Sequence, residues 1–126
     1  MKCYCDSNFD FKLCCQPLLD GQYKADSPLS LMRSRYTAFA LGRFAYLEKT
    51  TLPETFKLDL FQRNIQWAQS VRFTKLEILG FTEETRRGRV KFRAYFVHKL
   101  TGDSSIHEED SLFEKVNQTW YFCHPT

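Results

Sequence analysis

No stretch of this 126-residue chain approaches the ~18 consecutive apolar residues of a membrane-spanning helix, so it does not read as an integral helical membrane protein. It has no dense block of lysine and arginine either. The net charge of +3 permits an anionic partner but carries no strong nucleic-acid signal. There is no internal repeat and no low-complexity segment, and the length suits one compact domain joined to a small cysteine module. No secretory signal precedes the cysteines, and their number, five, is odd; both facts weigh against a disulfide framework. No nucleophile-base pair and no catalytic metal motif is legible.

What the chain does have is four cysteines within its first fifteen residues, Cys3, Cys5, Cys14 and Cys15. The C-x-C pair brings two sulfurs to one side of a tight turn, and the eight intervening residues let the chain fold back to deliver the second pair. Thiolates bind zinc strongly, and four of them close a tetrahedral, chemically inert structural centre. The expectation is one zinc ion per chain. Cys123 lies far from this cluster and reads as a buried strand residue, although Cys123-His124 could complete the site if one of the first four did not ligate.

Residues 1–18 then form a knuckle, residues 19–26 a linker, and residues 27–126 the main domain. Ser27-Pro28 is a helix start, with a side-chain oxygen to cap free amides and a proline that loses nothing at the first helical position. Leu29, Met32, Tyr36, Phe39 and Ala40 recur at three- and four-residue steps and predict one apolar stripe packed on a sheet. Gly42 ends this helix, Phe44-Ala45-Tyr46-Leu47 begins a shorter one, and Pro53-Glu54 starts a third that runs to about Trp67-Ala68. Strands are expected over Val71–Phe81, Val90–His98, Ser105–Val116 and Thr119–Cys123, separated by turn residues. Helices followed by an antiparallel meander imply an α+β fold, in which one curved sheet wraps its apolar face round the helices.

Strand parity sorts the charges. Val90, Phe92, Ala94, Phe96 and His98 share the inner face, and Arg89, Lys91, Arg93 and Tyr95 the outer one, opposite Glu108, Asp110 and Glu114. That outer pattern reads as a self-neutralised, solvated surface. Inward, beside Phe113, lie Ser111, Glu109 and His107. Arg33 falls inside the apolar stripe of the first helix, where a charge needs a partner, and Glu109 is the carboxylate nominated for it. Two readings stay open for this pair: a fixed bridge between helix and sheet, or the polar floor of a pocket with His98 or Tyr36 close by.

Two resemblances follow from these residues. Cys3-Tyr4-Cys5-Asp6-Ser7-Asn8-Phe9-Asp10-Phe11-Lys12-Leu13-Cys14-Cys15 resembles the SEC-C zinc-binding motif, with Asp6 and Asn8 standing where the motif has glycines. Both are residue types that tolerate left-handed backbone, so the turn is expected to survive. The motif's lysine-rich stretch is mostly gone. The run Pro28-Leu29-Ser30-Leu31-Met32-Arg33-Ser34-Arg35-Tyr36-Thr37-Ala38-Phe39 is similar to the signature of the YchJ family of small bacterial proteins. Gly88-Val90-Phe92, Glu109 with Ser111 and Phe113, and Trp120-Tyr121 fit the same family.

The resemblance implies a SEC-C knuckle followed by a nuclear transport factor 2-like, cystatin-like cone. Such cones host enzymes, ligand binders and assembly modules alike, so the fold does not decide the function. The leading expectation is a non-enzymatic, zinc-binding accessory or adaptor protein of the bacterial cytoplasm. In it the knuckle is an interaction surface for a protein partner and the cone is a scaffold or small-ligand pocket. The alternative is an enzyme acting on a small molecule in the cone cavity through His98, Glu109 or Tyr36.

Overall fold

A computed structural model describes residues 1–126. A single 3-10 turn (Phe11–Leu13) leads into helix α1 (Gln16–Leu19), followed by α2 (Pro28–Leu41), α3 (Phe44–Lys49), a second 3-10 turn (Pro53–Thr55) and α4 (Leu58–Ser70). Four strands complete the chain: β1 (Val71–Glu83), β2 (Arg87–His98), β3 (Ser104–Val116) and β4 (Thr119–Pro125). They form one antiparallel meander in the order β1-β2-β3-β4. The fold class is the expected α+β, with helices on a curved antiparallel sheet and the cysteine cluster at the N-terminus.

Local chemistry accounts for the central helix. Ser27 Oγ accepts a hydrogen bond from the Ser30 N–H at 3.0 Å, Pro28 occupies the first turn, and Gly42 closes α2 in the left-handed region at φ 75°. The third helix departs from expectation. Pro53 opens only the single 3-10 turn, because Phe56 and Lys57 are extended, and α4 begins at Leu58.

On the outer face of the sheet the expected charge pairing is present. Arg93 Nε donates to Glu108 at 2.7 Å, and Arg89 Nη2 to Asp110 at 3.2 Å. The inner face carries Val90, Phe92, Ala94 and Phe113, all buried. Helix α2 enters this concavity so closely that a methyl group on Gly88 of β2 would meet the Pro28 ring.

Backbone groups on both sheet edges find partners outside the sheet. Along β4, the Leu52 N–H donates to Phe122 O, and the Phe122 N–H to Thr50 O, each at 2.8 Å. At the opposite edge, the Leu76 N–H of β1 donates to the Asp6 carboxylate at 2.8 Å. The knuckle is packed onto the domain: Cys3, Cys5, Cys15 and Leu19 belong to the same buried cluster as Leu31, Tyr36, Leu76 and Phe113.

Candidate metal centre

The knuckle is built by short-range bonds. The Cys3 N–H donates to Phe9 O at 2.8 Å and the Phe11 N–H to Met1 O at 2.9 Å, which folds the chain back on itself. Asp6 and Asn8 make this turn at φ 59° and 72°, so the two residues that replace the motif's glycines adopt the backbone glycine would supply. Asp10 Oδ1 accepts from the Lys12 N–H at 3.0 Å and starts the 3-10 turn that delivers Cys14 and Cys15.

As a result the four Sγ atoms lie within 4.8 Å of one another. Cys5 and Cys14 sulfurs are 3.7 Å apart, and Cys14 and Cys15 sulfurs 3.9 Å. A zinc ion about 2.3 Å from each of four sulfurs demands tetrahedral edges of about 3.8 Å, so the cage fits that ion and is far too wide for disulfides. Cys5 and Cys15 are fully buried, Cys3 nearly so, and Cys14 half-buried.

Neighbouring groups are arranged for thiolates. The Thr37 hydroxyl of α2 donates to Cys15 Sγ at 3.4 Å, and Ser7 Oγ sits 3.2 Å from Cys14 Sγ. Hydrogen bonds from Cys15 and Cys3 drive the Cys5 thiol strongly down. Those shared bonds push Cys15 strongly up, and burial raises Cys14. Four thiols in one cage thus compete for negative charge, and a dication at the centre would relieve the competition. Four sulfurs and no further donor leave no position for a reacting water.

The other sequence-nominated residues are not brought together. Arg33 does not meet Glu109: its Nη1 donates to the Cys5 carbonyl at 2.7 Å, beside the knuckle. Glu109 does face inward, as parity requires, but its partners are His107 at 2.9 Å and the Ser111 hydroxyl. Burial opposes the Glu109 carboxylate, yet these two bonds hold its pKa below the ordinary value, and the same contact raises that of His107. Tyr36 is buried edge-on against Phe73, and desolvation pushes its phenol up. His98 Nε2 lies 3.2 Å from Ser105 Oγ at the end of the sheet. None of Arg33, Tyr36, His98 and Glu109 lines the cavity between α4 and β4. The buried arginine is Arg35, two residues on.

Residues 27–125 match the family model described as YchJ, middle NTF2-like domain. The chain belongs to the YchJ family. Its relatives in that family include a UPF0225 protein of Geobacter sulfurreducens, 36% identical over 95% of this chain and 75% of that protein. A second, from Actinobacillus succinogenes, is 33% identical over 98% of this chain and 80% of the relative. The solution structure of a SEC-C motif containing protein from Rhodopseudomonas palustris superposes with a TM-score of 0.90 at 39% identity, covering 100% of this YchJ-family chain and 98% of that one. A crystal structure of a SEC-C motif containing protein from Psychrobacter arcticus gives 0.82 at 31% identity, covering 100% and 82%.

Sequence reasoning missed two contributions to the metal centre. Asp6 was noted for its backbone tolerance, whereas its carboxylate also ties the knuckle to β1. Thr37 stood in the family signature without a role and turns out to face Cys15. Only the fold-back of residues 1–15 onto α2 exposes either, and no local pattern encodes that contact.

Proposed function

We propose that this chain is a zinc-binding, non-enzymatic accessory protein of the bacterial cytoplasm, in which the metal locks a small recognition knuckle onto the cone. The closed cage carries this reading: four sulfurs at tetrahedral spacing, with Thr37 and Arg33 of α2 bonded to the knuckle. Zinc suits four thiolates better than harder cations do, and a site without an open position holds structure instead of activating water. Four thiolates committed to a metal and an unpaired Cys123, with no disulfide among them, suit a reducing compartment, which supports the cytoplasmic assignment. No helix is long and apolar enough to cross a membrane.

Residues 1–18 act as the knuckle unit, residues 19–26 as its connection and residues 27–126 as the supporting domain. The outer side of the knuckle exposes Phe9 and Leu13, at 68% and 84% of their surface. Aromatic and aliphatic side chains displayed on a rigid support are suited to a protein partner. Site-specific photo-crosslinking in cells tests this. A probe at Leu13 is expected to give discrete adducts that a probe at Leu100, fully exposed on the β2-β3 turn, does not give. Identical adducts from both positions contradict the adaptor role.

A further inference from the structure

Arg35 is the one arginine of the chain that is buried, with 8% of its surface exposed. It takes part in none of the ion pairs. A buried charge without a counter-ion is expensive, and helices do not keep one at no cost. Its Nη1 accounts for every protein hydrogen bond it makes: to Leu47 O at 2.9 Å, Thr50 Oγ1 at 2.7 Å and Thr51 Oγ1 at 3.2 Å. One face of the guanidinium lies on Phe122, with Cζ 4.4 Å from the ring centre. Nε and Nη2 have no protein acceptor, and neither is sealed from solvent, since Trp120 Nε1 is the sole sealed side-chain nitrogen or oxygen without a partner.

Arg35 lines a cavity of about 150 Å³ between α4 and β4. Phe39, Phe56, Leu60, Phe61 and Ile65 form its apolar walls, while Thr51, Thr55 and Asn64 add neutral polar groups. Its charged or titratable nitrogen groups are Arg35, Lys57 and His124, and no aspartate or glutamate lines it. Besides burial, the groups that act on Arg35 are the Tyr46 phenol and, less strongly, the Glu109 carboxylate, which His107 and Ser111 already occupy. Burial lowers the Arg35 pKa to about 10, so the guanidinium is still charged at neutral pH.

We propose that this cavity binds a small organic monocarboxylate with an aromatic or branched apolar body, held by the free Nε and Nη2 edge of Arg35. That edge presents two parallel N–H groups, the arrangement that takes both oxygens of one carboxylate. The aromatic walls receive the apolar body, and the volume limits it to roughly one ring. Arg35 is pre-oriented by its three Nη1 bonds and by Phe122, so little rotamer freedom is lost on binding. None of Cys3, Cys5, Cys14 and Cys15 lines this cavity.

The test uses the full-length protein with benzoate, phenylacetate and isovalerate as probes, followed by amide NMR shifts. At least one of them is expected to shift the amides of Arg35, Phe61 and His124 saturably. The primary amide of that acid, its neutral counterpart, is expected to bind about tenfold or more weakly. Arg35→Lys keeps the charge and loses the paired edge, and should weaken binding by a similar factor. Because a buried arginine variant can misfold, Leu60→Trp serves as a second probe: it fills the cavity from a half-exposed position and should abolish the shifts while the protein stays folded. Three results would overturn the proposal: no saturable shift with any of the three acids up to about 10 mM, equal binding of the best of these acids and its own primary amide, or inorganic phosphate outcompeting all three at the same amides.

Discussion

The Asp6 carboxylate accepts a hydrogen bond from the Leu76 N–H at 2.8 Å, joining the cysteine-bearing turn to the edge strand of the sheet seventy residues away. One side chain thereby sustains a left-handed turn, caps a strand edge and fastens the knuckle to the cone. Asp6→Gly keeps the backbone conformation and removes the bond to Leu76, while the left-handed strain that glycine relieves and the chain entropy it adds partly offset each other, so urea unfolding should show a loss of about 1–3 kcal/mol. Asp6→Ala should cost about 1 kcal/mol more, because alanine is strained at φ 59°. An Asp6→Ala variant as stable as the parent protein would show that the tie to β1 contributes nothing, since alanine gains no relief at φ 59°.

Gly88 sets the distance between α2 and the sheet. Gly88→Ala places a methyl group into the Pro28 ring, with Thr82 O also 3.0 Å away. The expected loss is about 1–3 kcal/mol, as for other overpacked cores. Combining it with Pro28→Ala should recover part of the loss, giving a coupling of about 1 kcal/mol in a double-mutant cycle. Strict additivity would mean that the strain lies in β2 alone.

His107 and Glu109 form a pair whose charges support each other. His107 has a raised pKa, so its contribution is fully present below the unfolded value of about 6.5 and is lost as pH rises through the folded value. Glu109 has a lowered pKa, so its contribution is present above the unfolded value of about 4.3 and is lost as pH falls through the folded value. The pair is therefore most stabilising in the mildly acidic window between these limits. NMR titration should give His107 a pKa above 6.5, and Glu109→Gln should bring it back down. An unchanged His107 titration in Glu109→Gln would contradict the pairing.

The parts of the fold that the sequence displays are those with a single buried face. All four strands were legible because the sheet has a solvated outer side, so Val90, Phe92 and Ala94 alternate cleanly with Arg89, Lys91 and Arg93. The cysteine cage was legible because its four members are close along the chain. Helix α2 is not legible in the same way: α1, α3, α4 and the sheet pack around it, so Ser34, Arg35, Tyr36, Thr37 and Ala38 are all buried, and the stripe that singles out Arg33 does not show that Arg35 is the buried arginine. Glu109 was correctly placed on the inner face, but its partners come from its own strand, which helix periodicity cannot reveal.

In the proposed function, one zinc ion fills the cage of Cys3, Cys5, Cys14 and Cys15 and fastens the knuckle to the cone. Three of these cysteines belong to the main buried cluster, so removing the metal should destabilise the whole protein and not only the first eighteen residues. The direct measurement is native mass spectrometry of protein purified under reducing conditions without added metal, paired with thermal unfolding before and after chelation. One zinc per chain is expected, with a fall in Tm of about 10 °C or more when it is stripped. Less than about half an equivalent of zinc with four freely titrating thiols, or an unchanged Tm after stripping, would contradict the account.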